Sequence, residues 1–525
     1  MGLIILSVII VIIVILVIMR ILWKWILTRY LYSQYLFFDD DRVKTEINKE
    51  YLLKVEHDFD QNVYDDLELE EVFHVINHTQ SDIGKEYMFG RMFMNPSHHQ
   101  ELERLIHIFE DEKTLKSSLH ILYELNKGYS EGLNIFDKIK AFDVIDYIAV
   151  ASIYILFIIA LVAGMTQNFQ LCVQLIFLWF FLAGMYHMHI IKKYDEILGM
   201  VTSYCYVIDA IDKLCHLHLF SDEQKLKKTI KRAKRYTLIT HFFVRISSID
   251  VIYLFDFIKN IFMFHLLQAF ILFKNKDKLK ENYLYLYECI GLVDMALTVK
   301  KIRSQYTSCI PTLGQDLKVE CQEVYHPLIK DPVKNTFTTH ESCMITGSNA
   351  SGKSTFMKTI GVNMILARAI HTCFADAFYF SNHVICTSIH MKDDLLSHES
   401  YYVKEIKTLK KIIERVHRED CYVFIDEILR GTNERERIEI SRVIIQDLFE
   451  HHSLTFITTH DLKIVDYFLD TPQYCFLDEV KDHQLYCDYK IKKGICRVGN
   501  AIKLLEVYDY DPELLAKIKS EVIYK

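Results

Sequence analysis

The segment Gly347 to Thr355, GSNASGKST, has the spacing G-x-x-x-x-G-K-[ST]. A short apolar run from Met344 precedes it, and residues 354–369 follow with the spacing of a helix. Glycines let the backbone curl so that its N–H groups face an anion, and the next helix presents its positive end. The order of strand, loop and helix therefore predicts a phosphate-binding loop within an α/β fold.

Every residue of this loop is a candidate nucleotide contact. The candidates are Gly347, Ser348, Asn349, Ala350, Ser351, Gly352, Lys353, Ser354 and Thr355. Lys353 is expected to reach the β- and γ-phosphates of ATP, and the Ser354 hydroxyl is expected to bind Mg²⁺. A glycine-rich turn without a ligand is the alternative, but it does not explain why a strand precedes the loop and a helix follows it.

Two further β-branched runs end in polar side chains. Residues 421–427, CYVFIDE, predict a strand that ends in Asp426, a Mg²⁺ ligand, and Glu427, which polarises the attacking water. Residues 454–460 predict a strand that ends in His460, near the γ-phosphate. Taken singly, the first run is equally typical of an edge strand that ends in acidic residues, and His460 is equally typical of a surface histidine. All three elements in this order predict a nucleotide hydrolase.

The residues around these strands resemble the ATPase domain of the DNA mismatch-repair MutS family. The matching segments are TGSNASGKSTFMKTIG at 346–361, DEILRGT at 426–432 and TTHD at 458–461. The resemblance implies an ABC-class ATPase domain with a parallel or mixed sheet and flanking helices, which uses ATP and Mg²⁺ as a homodimer. It gives Lys353, Glu427 and His460 catalytic roles. No LSGGQ-like segment, typical of ABC transporters, precedes the second strand.

The same resemblance implies further contacts. Ser400 would reach the γ-phosphate held by the partner subunit, and Tyr489 and Ile329 would lie on either side of the adenine. An ordinary strand aromatic is the alternative for Tyr489. The chain departs from the family at Ser348, where a proline is usual, and at Leu429, where a glycine is usual. It contains no Phe-x-Glu triplet, so specific mismatch recognition is not expected.

Residues 3–19, 147–165 and 171–191 are long and apolar enough to be membrane helices. Basic residues that follow the first run and flank the other two predict a multi-pass cell-membrane protein with its N-terminus outside and its ATPase domain in the cytoplasm. A cleaved signal peptide is the less favoured interpretation of the first run, because no small-residue cleavage site follows it. Residues 251–273 carry Asp256 and Lys259, and are expected to form a core helix of the soluble part, with contact to the membrane as the alternative.

The expected fold class is α plus α/β, in successive segments of the chain. They are an N-terminal transmembrane anchor (1–30), a cytoplasmic helical region that begins a MutS core-like domain (31–146), a transmembrane hairpin (147–191), a helical lever-like region (192–318) and the MutS-type ATPase domain (319–525). The 13 cysteines have no regular spacing, which is typical of reduced thiols.

The chain has 61 Lys and Arg against 69 Asp and Glu, a net charge of −8, so DNA binding requires a local basic surface. The segment Lys225 to Arg235 is the best candidate. It is predicted to contact DNA phosphates, anionic lipid headgroups or only solvent. Two functions stay open: a membrane-anchored MutS-like ATPase that acts on DNA, and an ATP-driven mechanical or scaffold protein that acts on protein or lipid partners.

Overall fold

The structure is a computed structural model. It describes residues 2–36, 47, 49, 51–55, 60–95, 98–129, 144–247, 271, 274–348, 351–389, 401–429, 433–481, 484–497, 505 and 510–523. They form two compact units. Unit 1 comprises residues 1–55, 78–90 and 100–301, and unit 2 comprises residues 56–77, 91–99 and 302–525.

The described residues contain helices throughout and strands in the C-terminal part. The helices are α1 (Gly2–Leu36), α2 (Gln61–Asp66), α3 (Leu69–Ile76), α4 (Asp82–Arg91), α5 (His99–Ile108), α6 (Glu112–Gly128), α7 (Val144–Met165), α8 (Phe169–Cys215), α9 (Glu223–Ser247), α10 (Lys276–Gln305), α11 (Lys353–Ile370), α12 (Tyr401–Val416), α13 (Glu434–Glu450), α14 (Leu462–Val465) and α15 (Pro512–Ile523). The strands are β1 (Thr312–Gly314), β2 (Val319–Val324), β3 (Asn335–Thr339), β4 (Cys343–Thr346), β5 (Ala377–Ser381), β6 (Val384–Ser388), β7 (Cys421–Asp426), β8 (Ser453–Thr459), β9 (Gln473–Lys481) and β10 (Gln484–Lys493). The expected combination of α and α/β structure is confirmed.

Helices α7 and α8 form the predicted hairpin in unit 1. Residues Ile148–Met165 and Phe169–His189 are long and apolar enough to cross a membrane, by length and composition. The Asn168 side chain caps α8 by accepting a hydrogen bond from Leu171 N at 3.3 Å. Helix α8 continues to Cys215 over 47 residues, about 70 Å, so the boundary expected at residue 191 lies inside a continuous helix.

A buried carboxylate joins the two helices of the hairpin. Asp146, which is 3% exposed, accepts hydrogen bonds from the Tyr186 hydroxyl at 2.6 Å and the Lys193 ammonium at 2.7 Å. A charge in an apolar helix pair is stable only with such partners. This cluster therefore sets the relative height of α7 and α8.

Two other predicted apolar segments have different outcomes. Residues 3–19 lie within α1, and membrane insertion of that helix stays a prediction. Near its C-terminal end the buried Tyr35 hydroxyl donates to the Leu297 carbonyl at 2.8 Å. Residues 251–273, predicted as a soluble core helix, lie outside the described residues except for Ile271.

The centre of unit 1 contains a second buried carboxylate. Asp294 on α10 accepts hydrogen bonds from Gln80 N and Ser81 N, each at 2.8 Å, and from Ser81 Oγ at 2.6 Å. A Cβ at Gly84 would overlap this carboxylate, so the first turn of α4 needs glycine there. Burial raises the pKa of Asp294 to about 6.

Unit 2 contains two sheets. One has the strand order β1-β5-β2-β3, and the other has the order β10-β9-β4-β8-β7-β6. In the second sheet, β9, β4, β8, β7 and β6 run parallel, and β10 is antiparallel to β9. The carboxyl ends of β4, β8 and β7 therefore meet at one edge of the sheet, where a ligand binds in such folds.

Helices α12 and α13 pack on this sheet through one apolar cluster. Its members include Leu409, Ile412 and Val416 of α12, Ile438, Ile445 and Leu448 of α13, and Val423, Ile425 and Ile457 of the strands. Strand β1 of the first sheet precedes residue 319, where the ATPase domain is expected to begin. The sequence does not predict this strand, because three residues are too short a run for a periodic signal.

We expect the raised pKa of Asp294 to make unit 1 less stable as the pH rises from about 4 to about 6. The unfolded chain, with the ordinary pKa of 3.8, loses its proton first, so unfolding is favoured across this range by up to about 3 kcal/mol. Thermal melts of the wild type and of Asp294→Asn in detergent measure this, since the variant lacks the titration. Asp277→Asn, an exposed aspartate in the first turn of α10, is the control. Parallel pH profiles for the wild type and Asp294→Asn would contradict the assignment.

Candidate functional site

The backbone between β4 and α11 requires glycine at its first position. Gly347 has φ +148° and Gly352 has φ +101°. A Cβ at Gly347 would lie 2.7 Å from the Phe476 carbonyl oxygen and 2.7 Å from Ser351 Oγ. The predicted phosphate loop is therefore packed tightly against β9. Asn349 and Ala350, two of its predicted contacts, lie outside the described residues.

Lys353 is the first residue of α11 and is 3% exposed. Its ammonium donates to the Gly347 carbonyl at 2.8 Å and the Ser348 carbonyl at 2.6 Å. Ser351 Oγ also donates to the Ser348 carbonyl, at 2.7 Å. The buried amine thus lies over the loop at the positive end of a helix, a setting that suits a phosphate oxygen better than a neutral carbonyl.

The structure places Ser354 and Asp426 together. Ser354 Oγ donates to Asp426 Oδ2 at 2.8 Å, and Thr458 Oγ1 donates to Asp426 Oδ1. Thr458 has no role in the sequence prediction. Its place follows from the parallel register, in which Asp426 pairs with Thr458. A carboxylate beside two hydroxyls is an all-oxygen donor set, which suits Mg²⁺.

Glu427 and His460 also meet. The Glu427 Oε1 atom lies 2.7 Å from Nδ1 of His460, with the glutamate side chain 12% exposed and the imidazole 50% exposed. Glu427 has φ +56°, a left-handed conformation that non-glycine residues seldom adopt, and its N–H donates to the Thr458 carbonyl at 3.1 Å. Strain of this kind is concentrated at functional sites, because the surrounding structure must hold it.

Residues 343–521, which include these strand ends, match the family MutS domain V. Residues 343–521 are thus a MutS domain V. MutS protein homolog 4 of Mus musculus is 30% identical over 190 residues, covering 34% of this chain and 19% of the relative. Endonuclease MutS2 of Thermus thermophilus is 25% identical over 177 residues, covering 33% of this chain and 23% of the relative. The DNA mismatch repair protein MutS of Methanosarcina mazei is 28% identical over 173 residues, covering 31% and 19%.

The chain spans less than a quarter of the length of each of these three relatives. The likeness concerns the MutS domain V and the residues next to it. The predicted resemblance of the sequence motifs to the MutS family is confirmed.

The departure from the MutS pattern at Leu429 has a structural counterpart. Leu429 is fully buried and has φ +59°, in the left-handed region that glycine adopts without steric cost. Its N–H donates to the Glu405 Oε1 atom at 2.6 Å, and Glu405 is itself buried on α12. Glu405 has no role in the sequence prediction. The hydrogen bond from Leu429 N to Glu405 stabilises a backbone conformation that a glycine would adopt without such support.

Tyr489 lies beside the predicted phosphate loop. A Cβ at Gly352 would lie 3.1 Å from Cδ1 of Tyr489. The tyrosine has φ +51° at a register shift in β10, where Asn335 donates through Nδ2 to the Tyr489 carbonyl at 3.0 Å and accepts from Ile491 N at 2.9 Å. Asn335 is thus a supporting residue that no sequence motif marks.

Three other predicted residues keep the status of predictions. Ser400, the expected contact to the partner subunit, lies outside the described residues. Ile329 is exposed in the turn after His326, and Thr355 is exposed in the first turn of α11. Their roles toward a nucleotide follow from the resemblance alone.

We expect Gly347→Ala to weaken binding of a fluorescent ATP analogue by at least about tenfold, because a Cβ there collides with the Phe476 carbonyl and displaces the loop. Gly494→Ala is the matched control. Gly494 also has a positive φ, +122°, but a Cβ there meets nothing within 4 Å. Titration of both variants separates steric displacement from backbone strain. Equal affinities for the two variants would show that the tight packing at Gly347 does not matter.

Proposed function

We propose that unit 2 binds and hydrolyses ATP with Mg²⁺, as a dimer, within a membrane-anchored MutS-family protein. One observation carries the proposal. Lys353, the Ser354–Asp426 pair and the Glu427–His460 pair all lie at the carboxyl ends of the adjacent parallel strands β4, β8 and β7. These residues fit ATP and Mg²⁺. They supply a buried amine, a set of oxygen donors and a carboxylate paired with a histidine, at the same edge of the sheet as the glycine-containing loop.

Each residue has a defined task in this proposal. Bound Mg²⁺–ATP supplies the γ-phosphoryl group and neutralises its developing charge. Lys353 moves its ammonium from the loop carbonyls to phosphate oxygens. Ser354 and Asp426 hold the cation, with Thr458 keeping the carboxylate oriented. Glu427 orients the attacking water and accepts its proton, and His460 keeps the Glu427 carboxylate pointed at that water.

The dimer completes the site in this proposal. Ser400 of one subunit is assigned to the γ-phosphate held by the other, as in the family resemblance. Tyr489, next to Gly352, is assigned to one face of the adenine, and Ile329 to the other. A closed pair of ATP-bound subunits is therefore the working state, and hydrolysis opens it.

Membrane anchoring is the second part of the proposal. The two apolar segments of α7 and α8 are only 22% and 11% buried, whereas a core helix of a soluble protein would be mostly buried. Large side chains such as Phe177 and Met165 are more than two-thirds exposed, which favours a lipid environment. We assign the hairpin tip and the N-terminus to the outside and unit 2 to the cytoplasm. Labelling of Gln167→Cys in intact cells by an impermeant maleimide tests this, and labelling only after permeabilisation would reject it.

The position of the basic segment on α9 favours DNA over lipid as its partner. Lys228, Lys231, Arg232 and Arg235 are exposed, and Lys234 pairs with Asp212 of α8 at 2.5 Å. Asp212 lies about 35 Å further along α8 than His189, where the apolar segment ends. Headgroup attraction falls off within a Debye length of about 8 Å. A soluble polyanion therefore fits this surface better than the bilayer does.

We expect Glu427→Gln to lower ATP turnover by about a hundredfold or more while ATP binding persists, because the amide cannot accept the proton of water. Size-exclusion chromatography with ATP should then show an accumulated dimer. Glu434→Gln is the matched control, since this exposed glutamate pairs with Lys463 at 2.7 Å and should leave turnover unchanged. Near-normal hydrolysis by Glu427→Gln would reject the assigned base.

We expect duplex or branched DNA to stimulate ATP hydrolysis at low salt, with the effect lost as salt rises, because phosphate contacts release counterions. The double change Lys231→Glu and Arg235→Glu should abolish the stimulation, whereas Lys517→Glu, an exposed lysine on α15, should not. Turnover is measured in detergent with and without DNA. Hydrolysis that is intact but indifferent to every DNA would favour the alternative function, a mechanical protein that acts on protein or lipid partners.

A further inference from the structure

Three metal-ligating side chains meet at one corner of unit 2. His417 follows the last residue of α12, Asp447 lies in the last turn of α13, and His451 directly follows α13. Both helices end just before the amino ends of their strands, β7 and β8. Asp426 and His460 lie at the carboxyl ends, about 20 Å away along β7. The corner is therefore separate from the proposed nucleotide site.

The donor atoms of the three side chains are already close together. His417 Nε2 lies 2.9 Å from Asp447 Oδ2, and His451 Nδ1 lies 3.5 Å from Asp447 Oδ1. One donor atom from each residue lies within 4.8 Å of the others, and the two imidazole centroids are 4.1 Å apart. A tetrahedral zinc ion with bonds of about 2.0–2.1 Å needs donors roughly 3.3 Å apart. The largest separation between these donors, at most 4.8 Å, exceeds that spacing by no more than about 1.5 Å.

The chemistry of the donors selects the kind of cation. Two imidazoles with one carboxylate suit Zn²⁺ and similar first-row transition ions, whereas Mg²⁺ and Ca²⁺ prefer oxygen donors alone. Asp447 lies in α13, His451 is the residue that ends this helix four positions later, and His417 supplies the third donor from a different part of the chain. All three side chains are between 33% and 42% exposed, which leaves a fourth position for water.

A hydrogen-bonded cluster without metal is the competing explanation. The His451 Nδ1 atom also lies 2.8 Å from the Asp447 carbonyl oxygen, one of the last carbonyls of α13. A histidine in that place caps a helix end, which requires no metal. It does not, however, require His417, which follows α12 and contacts the same carboxylate. With zinc bound, His451 Nδ1 would coordinate the metal and would no longer contact the Asp447 carbonyl oxygen.

We propose that His417, Asp447 and His451 bind a zinc ion that joins the C-terminal ends of α12 and α13. The consequence is mechanical. Helix α12 carries Glu405, which supports Leu429, and α13 begins at the end of the same loop with Asn433 as its cap. The metal would hold together, at their far ends, the two helices that border the loop after β7.

The test uses full-length protein in detergent, stripped with a chelator and titrated with ZnCl₂ against a chromophoric competitor, without nucleotide. We expect one equivalent per chain at micromolar affinity or tighter, with a raised thermal midpoint. His417→Ala and Asp447→Asn should each weaken this binding by at least about tenfold. His452→Ala is the matched control, because this neighbouring histidine is 88% exposed and contacts Asp420 instead. Its affinity should equal that of the wild type.

Co²⁺ substitution gives a second readout that does not depend on stability. The visible spectrum of tetrahedral Co²⁺ should appear in the wild type and in His452→Ala, and should be absent in His451→Ala. Far-UV circular dichroism verifies that each variant is folded. Equal zinc affinities in all the variants, or no site of micromolar affinity in the wild type, would overturn the proposal.

Discussion

The Asp426 carboxylate on β7 connects α11 and β8, the two elements that hold the other residues of the candidate site. It accepts hydrogen bonds from Ser354 at the start of α11 and from Thr458 near the end of β8. Those two residues reach it from elements separated by about a hundred positions in the chain. A partly buried carboxylate is costly without such donors, so the parallel register of β7 and β8 and the position of α11 are specified together.

The residues of the site that sequence could predict are those whose chemistry restricts the residue type. A loop that approaches phosphate needs glycine, a lysine and a hydroxyl, and the strand ends need acids. Lys353, Asp426 and Glu427 are therefore visible as motifs. Thr458, Glu405 and Asn335 are not, because their importance depends on strand register and on which loop comes near. Many residue types are acceptable at such places in other proteins, and a single sequence does not distinguish them.

The fold shows the same division. Long apolar runs predict the hairpin, and short β-branched runs predict the sheet strands. These runs do not predict that α8 continues past residue 191, because polarity changes there while helix propensity does not. Non-glycine residues with positive φ also escape prediction. Glu427 and Leu429 adopt this conformation because their N–H groups donate hydrogen bonds to the Thr458 carbonyl and the Glu405 carboxylate, and those bonds exist only in the folded state.

The length of α8 has a geometric consequence. A continuous helix of 47 residues is a stiff rod of about 70 Å, with hydrogen bonds along its whole backbone. An angular change of only about 5° at its Cys215 end sweeps the Asn168 end through about 6 Å. The rod therefore amplifies small rotations, and the Asp146–Lys193 ion pair links α7 to it.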